Sequence, residues 1–75
     1  MNTYESIKQL FSGKMRINQK ELATLGIGSE STILRRKKAN EMHLLPIFRQ
    51  EGRICYYNLT DVADYIEGKS SAADM

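Results

Sequence analysis

Among the 75 residues there is one cysteine, Cys55, and one histidine, His43. The first count excludes an intramolecular disulfide, and the two together leave no Cys/His set able to complete a zinc site. Stability must come from packing alone, in a reducing compartment. No apolar run approaches the ~18 residues needed to cross a bilayer, and the polar N-terminal stretch has no signal-peptide h-region. These absences point to a cytoplasmic chain without a membrane partner. Also missing is any nucleophile–base pair, carboxylate pair or metal-ligand spacing, so the expectation is a protein that is not an enzyme, with no cofactor and no metal. Gly68-Lys69-Ser70 ends like a phosphate-binding loop, but Ala63 stands where that motif needs its first glycine. No internal repeat and no dividing linker is visible.

What is present suits one small folded domain. The chain is 41% hydrophobic and 27% charged, too apolar for a disordered chain. At this length only about 60% of the unfolded surface is buried on folding, so the core must be small. The net charge of +2 hides an asymmetry. Residues 1–28 carry four basic and two acidic side chains, 29–53 six and three, and 54–75 one and four. A polyanion is therefore attracted to the first two thirds and repelled by the last, which orients it.

Along the chain, Tyr4, Ile7, Leu10 and Phe11 fall at helical spacing, with Thr3 as N-cap and Gly13 to end the helix. Met15 to Ile17 reads as a short strand. Asn18 and Glu21 then form a capping box, Leu22, Ala23 and Leu25 supply the apolar contacts of a second helix, and Gly26 takes the left-handed C′ position. The chain turns at Gly26-Ile27-Gly28, and Ser29 begins a third helix that ends in Arg35, Arg36, Lys37 and Lys38. With Ile33 to the core, steps of about 100° put Ser31, Leu34, Arg35 and Lys38 outward and Thr32 and Arg36 on the flanks. If Leu34 is buried too, the outward set narrows to Ser31, Thr32 and Arg35. Beyond a polar connector, Ile47–Arg49 and Arg53–Tyr57 flank the turn Gln50-Glu51-Gly52 as a hairpin. Asn58 caps a last helix with Asp61 at N3, a staple between Tyr57 and Val62, and an inward stripe of Leu59, Val62, Ala63 and Ile66 closed by Gly68. The tail from Lys69 is expected to fray. Cys55 alternates with Ile54 and Tyr56 and reads as a small strand residue.

Two helices joined by a tight glycine turn, the second bearing an outward cationic face, have the makings of a helix-turn-helix, and the hairpin stands as its wing. The expected fold is α+β, a small winged helix-turn-helix with an extra N-terminal helix, in the order α-β-α-turn-α-β-β-α. Residues 1–14 form the accessory helix, 15–68 the winged domain and 69–75 a flexible tail. The expected partner is double-stranded DNA, with helix 29–39 in the major groove and wing 47–57 on the backbone or minor groove. Arginine bonds guanine O6 and N7 in bidentate fashion, which makes Arg35 the first choice for base reading. Ser29, Ser31 and Thr32 offer hydroxyls at the helix start, and Arg36, Lys38, Arg49 and Arg53 offer charge to phosphates. Tyr56 is the one tyrosine singled out as a DNA contact.

Glu21-Leu22-Ala23, Gly26-Ile27, Ser31-Thr32-Ile33, Leu45-Pro46, Gly52-Arg53 with Tyr57, Asp61-Val62 and Tyr65-Ile66, in that order, resemble the excisionase and AlpA-type winged helix proteins of phages and integrative elements, relatives of the MerR-type DNA-binding domain. The likeness spans about residues 15–68. It implies a DNA-binding accessory factor for an integrase or recombinase in excision, or a small transcriptional regulator, with Ser31, Thr32 and Arg35 facing DNA. This chain departs from the pattern in a turn one residue longer, in Arg36 where an aromatic is common, and in its added N-terminal helix. That helix motivates a competing expectation: self-association, or a protein-interaction adaptor or anti-repressor acting without direct DNA contact. A third candidate, the DNA-recognition domain of a terminase small subunit, normally continues into an oligomerisation region.

Overall fold

Side-chain oxygens placed before the first helical turns set where most of the helices start in the computed structural model, which describes residues 2–74. Helix α1 (Thr3–Leu10) is capped by Asn2, whose side chain accepts from the Glu5 amide at 2.8 Å. Thr3, the expected cap, is the first helical residue, because Asn2 is extended and its amide oxygen already reaches the N3 position. Strand β1 (Arg16–Asn18) points only Ile17 inward. Helix α2 (Gln19–Ala23) begins on the expected capping box: Asn18 Oδ1 accepts from the Glu21 amide at 2.8 Å, and Glu21 Oε1 from the Asn18 amide at 3.2 Å. It stops at Ala23 with Thr24 as C-cap, so Gly26, at φ +79°, lies one residue beyond the C′ position assigned to it.

Helix α3 (Glu30–Lys38) is capped by Ser29 and buries Ile33 alone. It ends in a Schellman motif: Asn40, at φ 59°, donates to the Lys37 carbonyl, and the Glu41 amide donates to the Arg36 carbonyl at 2.9 Å. A 3-10 turn (Met42–Leu44) then leads to strands β2 (Arg49–Glu51) and β3 (Ile54–Asn58). The three strands form an antiparallel sheet in the order β1-β3-β2. Pairing of Glu51 with Ile54 leaves Gly52-Arg53 as a two-residue turn, in place of the expected Gln50-Glu51-Gly52. Gly52 at φ +60° suits the first central position of a type II′ turn, whose twist matches the strands.

Helix α4 (Leu59–Ile66) follows β3 directly. The Asn58 side chain makes no cap bond there; the Leu59 amide donates instead to the Met15 carbonyl at 3.0 Å, which ties the helix start to the sheet edge. Leu59, Val62 and Ala63 face the core, but Ile66, on the same side of the helix, is 48% exposed. The core draws on Ile7 of α1, Ile17 of β1, Leu22 of α2, Ile33 of α3, Tyr57 of β3 and Val62 of α4.

The expected flexible tail is docked. A second 3-10 turn (Ala72–Asp74) buries Ala72, whose amide donates to the Leu45 carbonyl at 2.7 Å; Met75 lies outside the described residues. Four helices and a three-stranded antiparallel sheet thus make a small α+β domain. No helix among the described residues is long and apolar enough to cross a membrane.

Candidate nucleic-acid interface

Helix α3 begins where Ser29 closes it. Its hydroxyl accepts from the Thr32 amide at 3.2 Å and lies 3.1 Å from the Thr32 hydroxyl. Two of the three hydroxyls offered to DNA by the sequence, Ser29 and Thr32, are therefore engaged at the helix start, whereas Ser31 is exposed and makes no side-chain hydrogen bond among the described residues. Gly28 belongs to the same corner, since a Cβ there would stand 3.2 Å from Thr32 Cγ2.

The four consecutive cations divide in pairs. Arg35 and Lys38 are exposed, with neither hydrogen bond nor ion pair among the described residues. Arg36, expected to meet phosphate, is turned inward: its Nη1 donates to the Ile27 carbonyl at 3.2 Å and to the Leu44 carbonyl at 3.4 Å, bracing the turn against the connector. Lys37 is half-buried and reaches under the hairpin, with Nζ 2.9 Å from Gln19 Oε1, 3.0 Å from Cys55 Sγ and 4.6 Å from the Phe48 ring centroid. The helical period explains the division. With Ile33 at the core, Arg36 and Lys37 fall on its two flanks while Arg35 and Lys38 fall opposite. Leu34 joins the outward face at 47% exposed, as one of the two sequence alternatives has it. By the same period Arg35 lies about 160° round the helix from Lys37, so Lys38 and Leu34 are the outward residues nearer the hairpin.

On the hairpin, strand alternation sets Arg49, Glu51, Ile54 and Tyr56 on the outer sheet face and Cys55 and Tyr57 on the inner one. Arg49 and Arg53 are exposed and carry no ion pair among the described residues. Tyr56 lies on the face away from α3. The Arg16 guanidinium covers its ring at 4.6 Å, and its hydroxyl donates to Glu51 Oε1 at 3.1 Å. Arg16 was missed as a candidate; the usable signal was the alternation Arg16-Ile17-Asn18, which sets it beside Tyr56 once β1 pairs with β3.

The two ion pairs among the described residues, Lys14 with Glu21 at 3.0 Å and Lys69 with Glu67 at 2.8 Å, both lie outside residues 29–53. Lys14, and after it the Asn18 amide, hold the Glu21 carboxyl below the usual carboxylate range. Lys69 does the same to Glu67, in the acidic C-terminal third. Among the described residues no group of three His, Cys, Asp or Glu side chains is placed to hold a metal ion. Comparison of the chain with family models, with curated proteins and with solved structures finds no match in any of the three.

Proposed function

We propose that this protein binds double-stranded DNA as a small winged helix-turn-helix. In this reading α2 and α3 are the two helices of the motif, with α3 in the major groove and the β2–β3 hairpin on the adjoining backbone or minor groove. Arg35 and Lys38, with Ser31 and Leu34 on the same outward face, are the groove-facing set. Arg49 and Arg53 contact phosphate. The role would be that of an excision accessory factor working beside an integrase, or of a small transcriptional regulator.

The observation that carries the reading is the absence of neutralisation: none of the six cations in residues 29–53 joins an ion pair among the described residues, and four of them are exposed on α3 and the hairpin. Such a surface gains affinity by releasing counterions from phosphate. The adaptor reading has less support, because Ile7, at the centre of the apolar stripe of α1, is already buried in the core.

The test is a titration of duplex DNA over a range of salt concentrations. Arg53→Ala should reduce the slope of log affinity against log salt by about one, as expected for a lost phosphate contact. Arg35→Ala should weaken binding to a preferred site by about 1–3 kcal/mol and relax its sequence preference. Lys69→Ala, in the acidic third, should change neither. Absence of duplex binding at low salt, or full binding by both arginine variants, refutes the proposal.

A further inference from the structure

The underside of the hairpin holds a positive charge with no carboxylate paired to it among the described residues. Lys37 Nζ sits among Gln19 Oε1 at 2.9 Å, Cys55 Sγ at 3.0 Å, and the ring centroids of Phe48 at 4.6 Å and Tyr57 at 5.1 Å. None of these groups is a carboxylate. A half-buried ammonium held by an amide, a thiol and two rings is short of an anion.

A second, independent feature points to the same sulfur. Tyr57 is 0% exposed, and its hydroxyl is a buried polar atom with no hydrogen-bond partner among the described residues. Cys55 and Tyr57 are alternate residues of β3 and point to the same inner face. Burial first, and then the neighbouring Cys55, push the Tyr57 phenol far above its ordinary range. A thiol sulfur is a poor acceptor. An oxygen bonded to that sulfur is a good one; it would stand beside the Lys37 ammonium, which is itself 5.1 Å from the Tyr57 ring centroid on the same sheet face.

We propose that Cys55 is a peroxide-oxidised thiol whose sulfenic acid is held by Lys37 and Tyr57. The sulfur attacks one peroxide oxygen. The S–O bond forms, the O–O bond breaks, and the departing hydroxide takes up the thiol proton and leaves as water. Sulfur gives up two electrons and the peroxide receives them. Reactive cysteines occupy electropositive, partly exposed surroundings of this kind, and Cys55 is only partly buried. The added oxygen enters the 3.0 Å contact that joins α3 to the hairpin. If the duplex-binding proposal holds, oxidation therefore also weakens DNA binding by shifting one contact surface relative to the other.

The experiment treats the folded protein with hydrogen peroxide in the presence of dimedone and follows the adduct on the Cys55 peptide, which is unambiguous with a single cysteine. The folded chain should form it about tenfold faster than the urea-unfolded chain, and Lys37→Met should remove most of that advantage. Tyr57→Phe keeps the ring and deletes the hydroxyl. It should leave alkylation of the thiol by iodoacetamide unchanged while shortening the life of the sulfenic acid when dimedone is added late. This second variant decides the matter if Lys37→Met fails to fold. Equal rates in folded and unfolded chains, or an unaltered sulfenic acid lifetime in Tyr57→Phe, overturns the proposal. The assay contains no DNA. A chain that forms the adduct but binds no duplex therefore removes the DNA reading and leaves this one standing, and the reverse result does the opposite.

Discussion

Arg35 and Arg36 are neighbours of identical chemistry with opposite surroundings, and their variants should separate accordingly. Arg36 satisfies two backbone carbonyls, those of Ile27 and Leu44. Arg36→Met leaves both without that donor and should cost about 1–3 kcal/mol in urea denaturation. Arg35→Ala, on the exposed face, should stay within about 0.5 kcal/mol of the parent. Glu21 gives a second residue-scale expectation. Its carboxyl is held low by Lys14 and by the Asn18 amide, so its contribution is complete above the ordinary glutamate value, about 4.3. That contribution is lost as pH falls through the lower folded value, because protonation undoes the ion pair and half of the capping box. Stability measured by denaturant midpoint on acidification should fall less in Glu21→Gln than in the parent.

At the scale of elements, α3 is held by its ends more than by its length. Ile33 is its single buried residue, while Ser29 closes the start and Asn40 the finish. A helix of nine residues with so thin an apolar stripe is marginal on propensity alone. Gly28 supports the start at φ +156°, a conformation L side chains rarely adopt, and a Cβ there would press on Thr32 Cγ2 at 3.2 Å. Gly28→Ala should therefore destabilise by about 1–3 kcal/mol, and amide exchange should rise first in the opening turn of α3. Exchange unchanged there would mean that the helix start does not depend on this corner. The hairpin is the other short element, and its turn carries Arg53 to the exposed tip because only two residues separate the paired strands.

For the molecule as a whole, the C-terminal turn is part of the fold. Ala72 is 4% exposed and its amide bonds the Leu45 carbonyl, which joins the last residues to the connector behind α3. Deleting residues 70–75 should remove about 1 kcal/mol and lower the melting temperature by about 4–8 °C. A frayed tail would be lost without effect. Charge is also distributed at this scale. The cations of 29–53, none of them ion-paired among the described residues, stand apart from an acidic third in which Glu67 is paired with Lys69.

Several local features were legible in the sequence because they depend on residues three or four apart. The Asn18–Glu21 box, the Ser29 cap, the inward Ile33 and the exposure of Arg35 all follow from helical period and cap chemistry, as does the basic middle segment from simple counting. What only the tertiary structure decided involves partners far apart along the chain. Lys37 meets Cys55 eighteen positions on, and Arg36 meets carbonyls nine positions before and eight after it. The side of the sheet that carries Tyr56, and the docking of Ala72, likewise waited on strand register and on where the connector runs. Periodicity tells which side chains leave a helix together, but the surface they meet exists only once the other elements have packed.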